Sequence, residues 1–466
     1  MGAPVVAGSR GGRFRVYLTG AGAVLAVGVG VGVVLGQDGG AGQPATPAEV
    51  SPEVDDGAEE LTDDVRDSEE VDDLGDTAEA GDGRDVTALQ LTTGPLDWEV
   101  ILEESAWAER RDRHMIQGLA QHDGTITAIG DGNGQVVAYT STDGRNWARY
   151  PDEDRELATS ISYIHAVTAS EHGVLAAGTH RGVDHSHPTA SVWISENGGW
   201  ERIDDDPAFE AMHHTDVRGI ADTSLGVVAV GAYGDPNDHQ SAVAAAAWRS
   251  TDGHTWQSFS EPDVALGGPG DQYMNDVIGG GPGLIAVGVD GTPDADSRAA
   301  AWTHTEADGW ERIPYDDPVF DGPGSLKMHA ITRFEDGYVA VGQGGDGSAG
   351  VWTTANGEDW ERVSDDLDNF EGGGTPIMFD VTDAGGQLVA VGIERFPDGH
   401  STAAVWRSDD TRSWERLEHN PDVFDPGNLT VMKSVVAVEN RIVVGGHYGD
   451  ATGIDAPRHP AVWIAQ

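Results

Sequence analysis

From about residue 96 onward the chain alternates apolar and polar positions in short runs, each closed by a glycine- or acid-rich corner. Alternation over four to eight residues is the period of a strand with one buried face. Four such runs make a unit that returns roughly every 54 residues. In one unit "MNDVI" (274–278) predicts the first strand and "GLIAVG" (283–288) the second. "AAAWTHT" (299–305) predicts the third strand and "GWERI" (309–313) the fourth, outer one. The second strand of every unit ends in glycine: "TAIG" at 127–130, "LAAG", "VAVG", "IAVG", "VAVG", "VAVG", and "VVGG" at 443–446. Repetition at this length, with four short strands per unit, predicts an all-β fold, a seven-bladed β-propeller with four-stranded blades.

The aromatic residues follow the same period. Trp193, Trp248, Trp302, Trp352, Trp406 and Trp463 occupy the third strand, with Tyr139 in their place in the first unit. Trp147, Trp200, Trp256, Trp310, Trp360 and Trp414 occupy the outer strand. Such rings are expected to pack between neighbouring blades, across a polar hairpin such as "STDG" (250–253). The last unit stops at "PAVWIAQ", before any outer strand, while "LDWEVIL" (96–102) matches "DWERV" (359–363) with Trp98 in register. An N-terminal strand is therefore expected to complete the final blade and remove two sheet edges. The loops "DDDPAF" (204–209), "YDDPVF" (315–320) and "HNPDVF" (419–424) also recur, and their Pro-x-Phe element reads as packing.

The hairpins resemble the Asp-box, or BNR, repeat of the sialidase-like propeller superfamily, Ser-x-Asp-x-Gly-x-Thr-Trp. "STDGRNW" (141–147) and "STDGHTW" (250–256) are most similar, each one residue shorter than the pattern. "SENGGW" (195–200), "TANGEDW" (354–360) and "SDDTRSW" (408–414) depart further, the last lacking the glycine. The resemblance covers about residues 96–466 and implies the fold. In that superfamily the box lies away from the active site, and members include glycosidases, sorting receptors and assembly factors. Family sialidases use an arginine triad, a tyrosine nucleophile with a glutamate partner, and an aspartic acid. "ERIP" (311–314) is similar to their first arginine motif, but it shares a column with "ERID", "ERVS" and "ERLE", so the repeat accounts for it. No tyrosine stands out beside a glutamate as an activated nucleophile.

The sequence before the repeats has a different character. Residues 1–15 form a basic tail with three arginines, expected in the cytoplasm. Residues 16–36 carry no charge over 21 positions, about 30 Å of helix, and predict a transmembrane signal anchor in preference to a cleaved signal peptide. Residues 37–94 are acidic and lack both aromatic periodicity and a core, so a disordered acidic linker is expected. The propeller, 95–466, would then stand outside the cytoplasmic membrane, as a monomer.

Charge narrows the partners. The chain holds 27 Lys+Arg against 80 Asp+Glu, a formal charge of −53. A field of that sign repels phosphate backbones, which argues against nucleic acid. Only Lys327 and Lys433 are lysines, consistent with either a saline habitat or a GC-rich genome. Absence of cysteine excludes disulfides, thiolate metal sites, a cysteine nucleophile and a lipoprotein-type anchor.

Two sets of residues are candidate sites. "THRGVDHSHPTA" (179–190) gathers His180, Asp184, His185 and His187, a candidate transition-metal or Ca2+ loop. Asp235, Asp238 and His239, then Asp290, Asp294 and Asp296, then His447, Asp450 and His459, lie on comparable loops. The first strands, lining the axis, supply a column of Asp216, Asp276 and Asp380, matched by Gln117, Ala166, Ala330 and Ser434. Just before it stand His165, Asn275, His329 and Lys433. From these, His165, Asp216, Asp276, His329 and Asp380 are the expected ligand-binding residues. The functional expectation is a membrane-tethered module binding a protein or carbohydrate ligand without catalysis. The alternatives are a glycoside hydrolase or lyase, and a scaffold for an envelope complex.

Overall fold

The computed structural model describes residues 96–466 except 102–113, 133, 151–160, 182–188, 197–198, 204–205, 211–214, 235–242, 260–265, 267–269, 292–295, 315–317, 346, 364–373 and 451–455. All lie in the unit Val86–Gln466. The segments expected to form the tail, anchor and linker lie outside the described residues. No helix among the described residues is long and apolar enough to cross a membrane.

The architecture is all-β, a repetition of four-stranded antiparallel sheets of the β-propeller kind. Five sheets hold four strands each in chain order, and a sixth holds eight. That larger sheet is two four-strand groups joined by one parallel bridge, Ser401 to Leu429. Its final group is completed by the strand Trp98–Ile101, antiparallel to Arg458–Ala465. Trp98 lies opposite Ala465 and Val100 opposite Trp463. The offset is that of the fifth unit, where Trp360 faces Thr354 and Arg362 faces Trp352. Arg145 of the first unit's hairpin pairs with Glu99 of this strand.

The first strands of the units are His114–His122, Ile161–Ser170, Asp216–Thr223, Gln272–Gly280, Leu326–Phe334, Thr375–Asp383 and Leu429–Val438. Each packs against the next in chain order, and the last packs against His114–His122. The strand boundaries expected for 274–313 are observed as Gln272–Gly280, Gly283–Asp290, Arg298–Thr305 and Gly309–Arg312.

The indoles sit between units. Trp193, Trp248, Trp302, Trp352, Trp406 and Trp463 are fully buried, as is Tyr139. Trp248 and Trp256 share a core with Leu175, Val192 and Ile194 of the preceding unit, and Trp302 with Val228 and Val230. Trp147 packs against Val443 and Val462, so the first unit uses the last as its predecessor. The Pro-x-Phe elements are short helical turns, Pro207–Glu210, Pro318–Phe320 and Pro421–Phe424. The ring of Phe209 lies 5.8 Å from Trp248 and 5.7 Å from Trp256. The carbonyl just before each phenylalanine accepts the third-strand indole N–H: Ala208 from Trp248 at 3.1 Å, Val319 from Trp352 at 3.0 Å, Val423 from Trp463 at 2.8 Å. A buried ring is thereby packed and its donor satisfied by one turn.

The polar hairpins carry their own bonds. Asp143 Oδ1 accepts from the amides of Arg145 (2.8 Å) and Asn146 (2.7 Å), and Ser141 Oγ from Gly144 (2.8 Å). The outer indole closes the corner, Trp147 Nε1 donating to the Gly144 carbonyl at 2.7 Å. Gly144, Gly253 and Gly357 hold φ of 70°, 76° and 84° there, whereas the hairpin that lacks glycine forces Thr411 to 66°. A β-branched residue in that region is strained.

The "Glu-Arg" column of the outer strands is structural. Arg312 Nη2 donates to Asp290 Oδ2 at 2.6 Å, with side chains 11% and 5% exposed. Arg416 pairs likewise with Glu394 at 2.5 Å. The arginine of "ERIP" thus bridges strands within its own blade, where its guanidinium also lies 6.0 Å from the Trp302 ring.

Glycine at the end of each second strand does more than punctuate. A Cβ on Gly130, Gly178, Gly231, Gly288, Gly342, Gly392 or Gly446 would penetrate the carbonyl oxygen of Met115, Tyr163, Asp216, Tyr273, Lys327, Ile377 or Val431 respectively. At that level every first strand carries a register shift that leaves one residue extra. The extra residues are Gln117, His165, Arg218, Asn275, His329, Phe379 and Lys433, each thirteen positions before its glycine. A bulge of this kind re-aims a side chain out of the ladder.

Two outcomes test this account. Gly342→Ala, which drives a Cβ into the Lys327 carbonyl, should destabilise the protein by about 1–3 kcal/mol in chemical denaturation, the range for overpacking. Arg312→Met should lose about 3–5 kcal/mol by removing the cation beside the buried Asp290 carboxylate, and adding Asp290→Asn, which removes the charge and keeps an acceptor for Gln272, should recover part of that loss.

Candidate functional site

The seven extra residues converge. Gln117, His165, Arg218, Asn275, His329, Phe379 and Lys433 all line one cavity of about 140 Å3, bounded by all seven first strands. The structure corrects the sequence alignment here. Arg218 and Gln117 occupy the column of His165, Asn275, His329 and Lys433, and the next column is Gly118, Ala166, Gly219, Asp276, Ala330, Asp380 and Ser434. Asp216 therefore stands three residues before its presumed column and two before Arg218, in line with Tyr273 and Lys327. Matching by residue type had slipped the frame in those two units. Counting back thirteen from the glycine would have found every member, Arg218 and Phe379 included.

One wall is a polar chain. His165 Nε2 lies 3.2 Å from Asp216 Oδ1, and Arg218 Nε donates to Asp216 Oδ2 at 2.8 Å. Arg218 reaches Asn275 Oδ1 at 3.4 Å and lays its guanidinium 4.0 Å above the Tyr273 ring. Asn275 Nδ2 is spent on the Met328 carbonyl at 2.8 Å. Asp216 Oδ1 is buried against the His165 imidazole, with no other polar partner. Burial pushes the Asp216 carboxyl up, but Arg218 and His165 outweigh it and hold it below the usual carboxylate range. Burial holds His165 below the ordinary imidazole value against the pull of Asp216, leaving it neutral near pH 7.

Asp276 and Asp380 act between strands. Asp276 accepts from its neighbour Val277 N (2.8 Å) and from Ile331 N of the next unit (2.9 Å). Asp380 accepts from Val381 N and, in the next unit, Val435 N, both at 2.8 Å. Ser434 Oγ does the same towards Leu119 N of the first unit at 3.2 Å. These two of the expected ligand-binding aspartates spend both oxygens tying adjacent first strands together. Burial raises Asp276 to about 7 and Asp380 to about 6, their backbone donors opposing it.

The opposite wall is cationic and aromatic. Lys433 Nζ sits 4.0 Å over the Phe379 ring, and burial lowers the lysine to about 8. His329, 5.5 Å from Phe379, is driven to about 3 by burial and by Lys433, Lys327 and Arg218.

Of the candidate metal loop, His180 is buried at the end of its strand with Nδ1 2.9 Å from Ser162 Oγ. Asp184, His185 and His187 lie outside the described residues, as do Asp235, Asp238, His239 and Asp294. Among the described residues no three His, Asp or Glu side chains are grouped as metal ligands. Asp290 is taken by Gln272 (2.8 Å) and Arg312. Burial keeps His447 well below the ordinary imidazole range, and the ring of His459 lies 5.3 Å from Tyr448.

No family model matches the chain, and no curated protein matches it. Solved propellers do. The chain is similar to the periplasmic gluconolactonase PpgL of Pseudomonas aeruginosa at 10% identity, TM-score 0.46, over 75% of this chain and 95% of that one. It is similar to Trypanosoma rangeli sialidase at 11% identity, TM-score 0.37, over 76% of this chain and 54% of that one, about half the sialidase's length. A family 117 glycoside hydrolase of the marine bacterium Zobellia galactanivorans shares 8% identity, TM-score 0.33, over 79% of this chain and 90% of that one. These likenesses are of fold.

The buried carboxylates give a pH signature of two signs. Asp276 and Asp380 hold protons in the folded state above the ordinary unfolded value of about 4, so their contribution is full below pH 4 and is lost as pH rises through 6 and 7. Asp252 of a hairpin, held at about 2 mainly by the Thr255 amide, contributes above pH 4 and loses that contribution as pH falls towards 2. Calorimetry of Asp276→Asn from pH 4 to 8 should therefore show its Tm rising relative to the parent with pH. Parallel profiles would mean that the carboxyl is not protonated in the fold.

Proposed function

We propose that this protein is a membrane-tethered, extracytoplasmic propeller of seven blades, closed by the strand around Trp98, that binds the hydroxylated end of a glycan at its axis without catalysis. The observation that carries the reading is the axial cavity of about 140 Å3, lined by seven unlike side chains of which Arg218 is held in place by Asp216. Hydroxyls of a ligand would exchange hydrogen bonds with the polar members of that ring. The amides of Gln117 and Asn275 in the same ring add polar contacts, and few specific polar groups in a concave site are the usual means of orienting a small ligand. The way the acids are used supports a reading without catalysis. The common two-carboxylate route to glycoside hydrolysis needs both groups directed at the substrate, and Asp276 and Asp380 direct theirs at backbone amides. The uncharged segment 16–36 supports the tether.

One contact favours a second reading. His165 against Asp216 is the pairing of a base with its orienting acid, which suits a hydrolase. Titration calorimetry of the purified protein against a saccharide panel, with chromogenic glycosides assayed in parallel, separates the two. Binding without turnover is expected, weakened about tenfold or more by Asp216→Asn, which removes the charged partner that positions Arg218 in the cavity wall. Turnover abolished by His165→Gln would establish the hydrolase instead. Saccharide affinity indifferent to Asp216→Asn would remove the axial site from consideration. Cell fractionation should find the chain with the membrane, and deletion of 16–36 should release it.

A further inference from the structure

We infer that the ligand of the axial cavity is an anion, a small hydroxylated acid whose charged group rests against Lys433 and Arg218, in the field of Lys327, while its hydroxyls meet the amides of Gln117 and Asn275. This rests on the axial binding reading and names its ligand class.

The starting point is where a chain with 27 bases among 80 acids has put its scarce cations. Both lysines lie on first strands. Lys433 is an extra residue lining the cavity, and Lys327 stands two residues above His329, in the position Asp216 takes in its own unit. Neither ammonium makes an ion pair or hydrogen bond among the described residues, the contact of Lys433 with the Phe379 ring apart. Arg395, whose backbone pairs with Thr375 at the head of the sixth first strand, lies close enough to repel both; at Lys433 Asp131 opposes burial, and Arg395 and Arg458 add repulsion.

The anions facing this group are already engaged. Asp216 is held by Arg218 and His165, and Asp131 accepts from Gln117 Nε2 at 3.1 Å. Asp276 and Asp380 bond backbone amides. The imidazoles of His165, His329 and His447 are kept uncharged. What remains is a group of like charges in partial burial, an arrangement that repels itself until an anion enters. The −53 surface repels anions generally, so the axis is where a small one gains. The amides of Gln117 and Asn275 stand in the same ring as these cations and suit hydroxyls on the same molecule. Charge and amides together specify a hydroxy acid.

The test uses the purified protein with tartrate, succinate and sorbitol at ionic strength held constant with sodium chloride. Tartrate should bind and raise the Tm, with succinate, which lacks the hydroxyls, about tenfold weaker. Lys433→Gln and Lys327→Gln should each weaken tartrate about tenfold or more, while Lys433→Arg retains binding and guards against misfolding. Arg407→Gln, which removes an exposed pair with Glu415 on an outer strand, should leave binding unchanged. Tartrate no better than chloride, or lysine variants that bind it like the parent, would overturn the inference. Neutral saccharide that still binds in that event preserves the axial site with an uncharged ligand. Failure of both ligands overturns the two readings together.

Discussion

The approach of a glycine to a carbonyl is the contact on which the rest of the molecule depends. Seven times the second strand comes so near the first that no side chain fits between them, and seven times the first strand responds by carrying one residue more than its partner. That residue leaves the ladder and turns to the axis. The cavity is thus a by-product of strand pairing, and its chemistry is set by whichever side chain stands thirteen places before the glycine. Because only the backbone geometry is shared, the seven positions are free to differ, which is why amide, imidazole, guanidinium, phenyl and ammonium groups meet there.

The interior divides its acids by task. Asp143 and Asp252 fold hairpins, Asp290 and Glu394 neutralise outer-strand arginines, and Asp276 and Asp380 tie first strands together. Each uses its oxygens on donors of the protein. Asp216 spends one oxygen on Arg218, which lines the cavity, and sets the other against His165. In a chain with so many carboxylates, position in the hydrogen-bond network distinguishes a site from a structural acid better than residue type does. The lysines make the converse case, being rare in the chain and left without carboxylate partners at the same place.

The aromatic period serves a different end. Each ring lies against the previous unit, and a Pro-x-Phe turn takes the N–H of Trp248, Trp352 and Trp463 while a hairpin carbonyl takes that of Trp147, Trp256 and Trp360. The first unit leans on the last in the same way, through Trp147 on Val443 and Val462. The strand at Trp98 completes the last unit, and its Glu99 crosses the seam to Arg145 of the first. The one hairpin without glycine keeps the shared shape at the expense of a strained Thr411.

The sequence by itself determined the repeat, the strand order, the roles of the tryptophans and the partner of the N-terminal strand, since alternation and turn chemistry are local and their recurrence adds up. It also held the frame of the axial ring, in the constant interval from Gln117 to Gly130 and from Lys433 to Gly446, although residue type suggested another alignment. Only the tertiary structure decided which polar residues are free. Whether an aspartate offers its oxygens to a ligand or to the amide of Ile331 depends on how a strand more than fifty residues away is seated. That seating depends on bulges, which redirect a side chain without altering the apolar pattern from which strands are read.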